Sequence, residues 1–426
     1  MVAAGADPNL QNPGPSAIRS SQWRMLLATM FCYLFYYTGR QTFGFAIPGI
    51  EKELGLSKEV LGWVSAALLW SYAVGQAING NLGDRFGGRR MMSLGALLSC
   101  VSNWIVSFAT GFGSLIGPWA INGYFQSMGW APGSRVISNW WPRRERGKAF
   151  GLYVFAAGIS SVLAFVTSLL VLEVFELNWR WIFRLPVLLL LLGGGVYFLV
   201  ARDRPRDLGL PPIGQNGEEE AEKPGARIVE TSLERYRHVL NNWRFMIASL
   251  AIGFQNMARY GLLVWVPVYF LGQHYKDSPG GRWISIALPL GMALGSLSSG
   301  WISDRLFGSK RSGVITVFLA TAAIASMAMF YVPQGHWAAV PTLFLCGFFA
   351  YGPQSTFWAL APDLLGTQRA GTGVGVMNAC AYAVAGLGEP LIGRVIETNN
   401  NNTALVFPIV AGACLIGALT ALFIRR

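Results

Sequence analysis

Residues 25–50 read MLLATMFCYLFYYTGRQTFGFAIPGI, and residues 245–273 read FMIASLAIGFQNMARYGLLVWVPVYFLGQ. Each stretch is uncharged but for one arginine, Arg40 in the first and Arg259 in the second. A helix crossing the hydrocarbon core needs about 20 mostly apolar residues. Both stretches therefore predict membrane spans with an arginine well inside. A lone arginine at that depth costs roughly 2.5–3.5 kcal/mol on insertion scales, so it persists only with a partner or a task. Two at matching depth, with no acid on either helix, point to one binding site for an anion.

The rest of the 426-residue chain follows the same pattern. With 53% hydrophobic and only 13% charged residues, the composition is that of a membrane protein and not of a soluble domain. Further apolar runs bring the expected spans to twelve, near residues 25–49, 60–82, 91–110, 113–136, 148–172, 180–201, 245–272, 283–303, 312–332, 337–361, 371–396 and 403–424. Met1–Gln22 lacks the layout of a removable signal peptide, so the first span is expected to serve as its own insertion signal.

The net charge of +12 raises the question of a nucleic-acid partner. Its distribution answers otherwise. Arg85, Arg89 and Arg90 follow the second span, Arg143, Arg144, Arg146 and Lys148 the fourth, and Arg305, Lys310 and Arg311 the eighth, while the alternate loops hold few net positive charges. That alternation is the positive-inside rule and predicts both termini and the central loop in the cytoplasm. No nucleic acid is expected as a partner. Cys32, Cys100, Cys346, Cys380 and Cys414 are scattered through apolar segments and read as packing residues. His238, His274 and His336 form no cluster, so neither a metal nor another cofactor is expected.

Residues 202–243, with Pro205, Pro211, Pro212 and the acidic run Glu218–Glu220, predict a cytoplasmic linker holding a short amphipathic helix near residues 233–240. The expected organisation is a cytoplasmic segment at 1–23, six helices over 24–201, the linker, and six helices over 244–426. The two halves echo each other. Gly80, Asp84, Arg85, Gly87, Gly88, Arg89 and Arg90 after the second span recur as Gly300, Asp304, Arg305, Gly308, Lys310 and Arg311 after the eighth. The leading glycines are 220 residues apart and the buried arginines 219. Repeats related by an axis along the membrane normal are a transporter architecture, with the substrate site between them.

The doubled loop and the twelve spans resemble the major facilitator superfamily along nearly the whole chain. The fold class expected is thus an all-α membrane protein, two pseudo-symmetric six-helix bundles of the major facilitator fold. Within that superfamily, several motifs resemble the organophosphate:phosphate antiporters, the glycerol-3-phosphate and hexose-phosphate carriers. They are Tyr36-Tyr37 with Arg40 and Phe43, Gln126 with Met128-Gly129-Trp130 and Pro132, Trp140-Trp141 with Glu145-Arg146-Gly147, Arg259-Tyr260-Gly261 with Trp265 and Pro267, and Tyr351-Gly352-Pro353.

The resemblance implies that the first and seventh helices face each other across a central cavity, and that Arg40 and Arg259 clamp the substrate anion. A guanidinium is a planar fork that matches phosphate or carboxylate oxygens and keeps its charge. Tyr37, Tyr33, Tyr351, Tyr382 and Asn256 are candidate hydrogen-bonding partners; each also reads equally well as a packing residue. Gln76 stands where the family usually carries lysine, and Ala157 where the glycerol-3-phosphate carriers carry histidine. This cavity thus has one cation and one titratable group fewer, which favours a smaller or less charged anion such as a phosphonate or carboxylate. Asp84, Arg85, Asp304 and Arg305 are expected to gate the cytoplasmic side by pairing when it closes. Glu389 is expected near a helix end, solvated or paired with Arg394, with a proton site as the alternative.

The expected function is a secondary active transporter, working as a monomer in a bacterial inner-membrane type of bilayer, that exchanges an organophosphate or phosphonate for phosphate by alternating access. The alternatives are a proton-coupled symporter of an organic or sugar acid, and a transporter-like sensor of sugar phosphates. An enzyme is not expected: the sequence shows no nucleophile–base pair or phosphate-cradling loop at a workable spacing.

Overall fold

The computed structural model describes residues 15–211, 232–271, 281–307, 311–333, 335–365 and 370–424, and among them all regular structure is helical. The first half comprises α1 (Pro15–Tyr36), α2 (Phe43–Leu54), α3 (Lys58–Phe86), α4 (Gly88–Val106), α5 (Phe112–Trp140), α6 (Arg143–Leu169) and α7 (Leu188–Val200). The expected amphipathic helix is α8 (Ser232–Asn241); residues 212–231 of the expected linker lie outside the described residues. The second half comprises α9 (Trp243–Leu271), α10 (Ala287–Leu306), α11 (Arg311–Tyr331), α12 (Ala339–Tyr351), α13 (Gln354–Leu365), α14 (Ala370–Thr398) and α15 (Val406–Leu422). Helical segments occupy each of the twelve expected spans, and among the described residues seven stretches are long and apolar enough to cross a bilayer by length and composition.

Two expected spans are broken in their interior, and the sixth joins a 3₁₀ turn (Trp179–Phe183) to α7 across non-helical residues. The first is interrupted between α1 and α2, where Tyr37–Gly39 tighten into a 3₁₀ turn and Arg40–Thr42 leave the helix. The tenth is interrupted at Gly352-Pro353, between α12 and α13. Proline has no N–H to donate, so the helical backbone bond is missing at Pro353, although Gly352 before it keeps helical dihedrals (φ −47°, ψ −49°). The first has no proline and needs another cause.

Lipid supplies no hydrophobic force between helices, so small residues that let backbones approach take over that role. Gly291 of α10 packs on the Phe344 carbonyl of α12, and Gly347 of α12 on that of Leu288, with no room for a Cβ at either position. The five cysteines are free, and all but Cys380 are fully buried.

The two halves meet where α3 packs on α14, α2 on α9 and α6 on α10. At the end of the molecule away from the termini, Lys58 Nζ donates to Asn401 Oδ1 (3.2 Å), and the Glu59 backbone N–H to Glu397 Oε2 (3.2 Å). Deeper in the same seam, Trp70 Nε1 donates to the Ala383 carbonyl (3.2 Å). Between them Gly62 lies against the backbone of Glu389 and Pro390, where an added Cβ would stand 2.6 Å from the Glu389 carbonyl oxygen. The seam is therefore sealed from Trp70 to that end.

Candidate functional site

The break in the first span sets the geometry of the site. Arg40 has φ −143° and ψ −27°, well outside helical values, so its side chain leaves the helix axis and enters the space between the bundles. Arg259 comes from the middle of the continuous helix α9. Both are buried, at 5% and 3% exposure, deep enough that each charge must be met by protein or by a ligand.

What meets them is aromatic. The Arg40 guanidinium carbon lies 4.2 Å from the Tyr37 ring centre and 4.7 Å from that of Tyr72. That of Arg259 lies 4.2 Å from Tyr351, 5.0 Å from Tyr260 and 5.9 Å from Tyr37. Tyr37 thus stands between the two cations, and Arg259 Nη2 donates to its hydroxyl over 3.3 Å. Tyr260 and Tyr382 are joined through their hydroxyls (3.3 Å), and the Tyr382 ring lies 4.4 Å from that of Tyr72. Five tyrosines, two from the first half and three from the second, surround the pair.

Ring faces offset part of the desolvation cost, about 0.5–2 kcal/mol per contact, but they do not fill a guanidinium's donors. Arg40 Nε and Nη1 and Arg259 Nε are buried without a hydrogen-bond acceptor. Among the described residues, no carboxylate forms an ion pair with either arginine. Two buried, like-charged forks with donors to spare are a receptor for an anion with several oxygens.

The other expected site residues fall into three groups. Tyr37, Tyr351 and Tyr382 belong to the cage. Tyr33 lies one layer behind it, stacked on Tyr36 (5.4 Å) and edge-on to Tyr37 (5.7 Å), where it supports the Tyr37 ring. Gln76 and Asn256 have amide donors engaged with the protein: Gln76 Nε2 with the Ser127 carbonyl (3.2 Å), and Asn256 Nδ2 with the Ile252 carbonyl (3.1 Å) and Gln255 Oε1 (2.9 Å). Tyr72 and Tyr260 were not among the expected site residues. Their sequence signals were adjacency to Arg259 for Tyr260, and a position one helical turn before Gln76 for Tyr72.

Of the expected gating residues, the side chains of Asp84 and Asp304 lie outside the described residues. Arg85 and Arg305 are exposed at the ends of α3 and α10, beside the rings of Phe86 (5.5 Å) and Trp301 (5.7 Å). Gly87, at φ +85°, turns the chain so that Asp203 reaches the start of α4, where its Oδ1 accepts from the Arg89 N–H (2.8 Å).

Glu389 is neither solvated nor paired with Arg394. It is fully buried in the seam between α3, α9 and α14, where Oε2 accepts from Trp265 Nε1 (3.1 Å) and the Ser65 hydroxyl of α3 also hydrogen-bonds the carboxyl group. Glu389 is therefore not the solvated or Arg394-paired helix-end acid expected: α14 continues past it to Thr398, and its side chain lies against the neighbouring helices.

The chain is 28% identical to the glycerol-3-phosphate transporter of Bacillus subtilis (strain 168), over 92% of this chain and 90% of that one. It is 27% identical to a probable hexose phosphate transport protein of Chlamydia trachomatis (88% and 85% covered) and 24% identical to the membrane sensor protein UhpC of Escherichia coli (89% and 88%). These are the relatives to which the motifs around Arg40 and Arg259 pointed. In three dimensions it resembles a bacterial homolog of the human lysosomal transporter Spinster in an inward-facing, unoccupied conformation, with a TM-score of 0.70 at 18% identity over 99% of this chain and 95% of that one. The family model of the Major Facilitator Superfamily matches residues 29–389, which takes in both bundles and both arginines, and this multi-pass membrane protein belongs to that superfamily.

Proposed function

We propose that this protein carries a small phosphorylated organic anion, an organophosphate or phosphonate, across the membrane in exchange for inorganic phosphate. The observation that carries this reading is the pair Arg40 and Arg259: buried, free of ion pairs with described carboxylates, one from each bundle, and joined through Tyr37. The relatives described as transporters of glycerol 3-phosphate and hexose phosphates support the substrate class. The protein acts as a transporter and not as an enzyme, works as a monomer, and sits in a bacterial inner-membrane type of bilayer with both termini cytoplasmic. Its units are the segment 1–23, bundles 24–201 and 244–426, and the linker 202–243.

Exchange follows from the charge arrangement. With the site empty, closing the second end would bury two like charges together, which is costly in a low-dielectric space. A bound phosphate-type anion offsets that cost, so the bundles rock past the midpoint only when loaded. The sealed seam at Lys58, Trp70 and Glu389 corresponds to a carrier closed to the outside.

The test is counterflow into proteoliposomes loaded with inorganic phosphate. Labelled glycerol 3-phosphate or a hexose phosphate should enter faster than into unloaded vesicles, and Arg40→Ala or Arg259→Ala should abolish uptake. Uptake driven by a pH gradient and indifferent to internal phosphate would favour a proton symporter. Binding without flux would favour a sensor, the role that the name of the Escherichia coli relative gives that protein.

A further inference from the structure

The interruption of the first span has no proline to cause it, yet it places Arg40. The cause is visible at Gly39. Its carbonyl oxygen accepts from Asn122 Nδ2 of α5 at 2.7 Å and from Asn103 Nδ2 of α4 at 3.0 Å. Both asparagines are fully buried. They are themselves held: Ser99 Oγ donates to Asn122 Oδ1 (2.6 Å), Gln126 Nε2 donates to Ser99 Oγ (2.7 Å), and Asn103 Nδ2 also donates to the Ser99 carbonyl (2.9 Å). On the other side of the turn, the Tyr37 N–H donates to Ser160 Oγ of α6 (3.1 Å).

In an uninterrupted α-helix the Gly39 carbonyl would point along the axis toward the N–H four residues ahead. Drawn sideways by two amides, it rotates the peptide plane joining Gly39 to Arg40. The φ of Arg40 is a rotation about the bond that leaves that plane, so the plane's orientation decides where the guanidinium goes. An added Cβ at position 39 would stand 2.5 Å from Gln126 Nε2, 2.8 Å from Ser99 Oγ and 2.9 Å from Leu190 Cδ1, so a larger residue there would displace the side chains that hold the turn. A backbone carbonyl inside a bilayer cannot be left unpaired, which makes this anchorage strong.

We propose that Asn103 and Asn122 are positioning residues for anion binding, acting through the Gly39 carbonyl to hold the first span open and aim Arg40 at the site. The proposal rests on the anion-carrier reading for its effect on transport, but not for its effect on the backbone. Neither asparagine touches the substrate. The second bundle places its arginine differently: α9 is continuous, and Gln255 Nε2, one turn before Arg259, donates to the Ala350 carbonyl (2.8 Å) just ahead of the break between α12 and α13. One bundle breaks the arginine helix and the other breaks its neighbour.

The experiment compares Asn122→Leu and Asn103→Leu with Asn139→Leu, a control on α5 whose Nδ2 donates to the Asp203 carbonyl (2.9 Å) remote from the break. In phosphate-loaded proteoliposomes, the first two should raise the KM for glycerol 3-phosphate roughly tenfold, with a smaller change in kcat. The control should lower the ligand-free Tm to a similar extent and leave KM in place. In an Arg40→Lys background, Asn122→Leu should change KM by less than about twofold, since the guanidinium it aims is already gone. Hydrogen exchange over residues 36–45, which needs no substrate, should accelerate in both leucine variants and not in the control. Wild-type KM together with unchanged exchange in Asn122→Leu would overturn the proposal. Accelerated exchange in a protein whose wild type shows no counterflow would instead overturn the carrier reading and leave the anchorage standing.

Discussion

Tyr37 belongs to the first bundle and Arg259 to the second, and the hydrogen bond from Arg259 Nη2 to the Tyr37 hydroxyl (3.3 Å) ties the two bundles together. A phenol oxygen is a weaker acceptor than a phosphate oxygen, so this bond reads as the one an arriving anion replaces. The Tyr37→Phe variant removes the competitor but also a donor to the ligand. The second loss dominates once the anion is bound, because a hydrogen bond to a charged group is worth about 1.5–3 kcal/mol. Phosphate affinity by calorimetry should fall roughly tenfold; tighter binding would show that Tyr37 acts only as a lock.

Lysine should not replace either arginine. Each guanidinium lies against two or three tyrosine rings while keeping donors free, a combination of planar stacking and forked donation that an ammonium cannot reproduce. Arg40→Lys and Arg259→Lys should each reduce kcat/KM for exchange by at least about tenfold, from the loss of one bidentate contact. Full activity in either variant would mean that charge alone suffices.

Gly62 seals the seam away from the termini. A methyl at position 62 would press on the backbone of Glu389 and Pro390, which cannot swing aside as a side chain could. Gly62→Ala should cost the closed seam about 1–3 kcal/mol without unfolding either bundle. A cysteine placed at the end of α14 should then react faster with a membrane-impermeant thiol reagent, while Tm changes little. Unchanged labelling would place the seal elsewhere.

Glu389 and Trp265 form a buried donor–acceptor pair at the same level. Glu389→Gln keeps an acceptor for the indole N–H and the side-chain volume, so the Tm should move little. Glu389→Ala leaves that N–H unsatisfied and opens a cavity, which should destabilise by about 2–4 kcal/mol. Equal Tm values for the two variants would count against the pair as a structural contact.

Glu53, at the mouth of the first span, accepts from Arg180 Nη2 (2.7 Å) and Trp179 Nε1 (2.6 Å), and these contacts hold its carboxyl below the usual carboxylate range. A depressed value in the folded protein means stability that is present above the unfolded value and lost as the pH falls through the folded one. The pair is largely solvated, so the contribution is under about 1 kcal/mol. Glu53→Gln should lower Tm slightly at pH 7, and the difference should begin to shrink only below about pH 4, as the folded carboxylate starts to protonate. An offset that stays constant well below that pH would assign the effect to packing.

Much of the fold was legible because a bilayer leaves few choices. Backbone groups in hydrocarbon must bond internally, so an apolar run of about 20 residues becomes a helix whatever its neighbours are. Local rules of this kind located the helical segments and the burial of Arg40 and Arg259. They missed the break at Tyr37–Thr42, because the groups that make it, Asn103 and Asn122, lie 64 and 83 residues from Gly39 in sequence. They could not show what engages Gln76 and Asn256 for a related reason: a free amide and one bonded to Ser127 or Gln255 look alike in sequence.

The sequence by itself determined that this chain crosses a membrane repeatedly in two related halves and buries a matched pair of cations, since charge and hydropathy act on each segment separately. Only the tertiary structure decided that Arg40 leaves its helix to meet Arg259 across Tyr37, that Tyr72 and Tyr260 close the cage, and that Glu389 lies dry in the seam. Those outcomes depend on which distant groups satisfy each other's hydrogen bonds, and only packing brings such groups together.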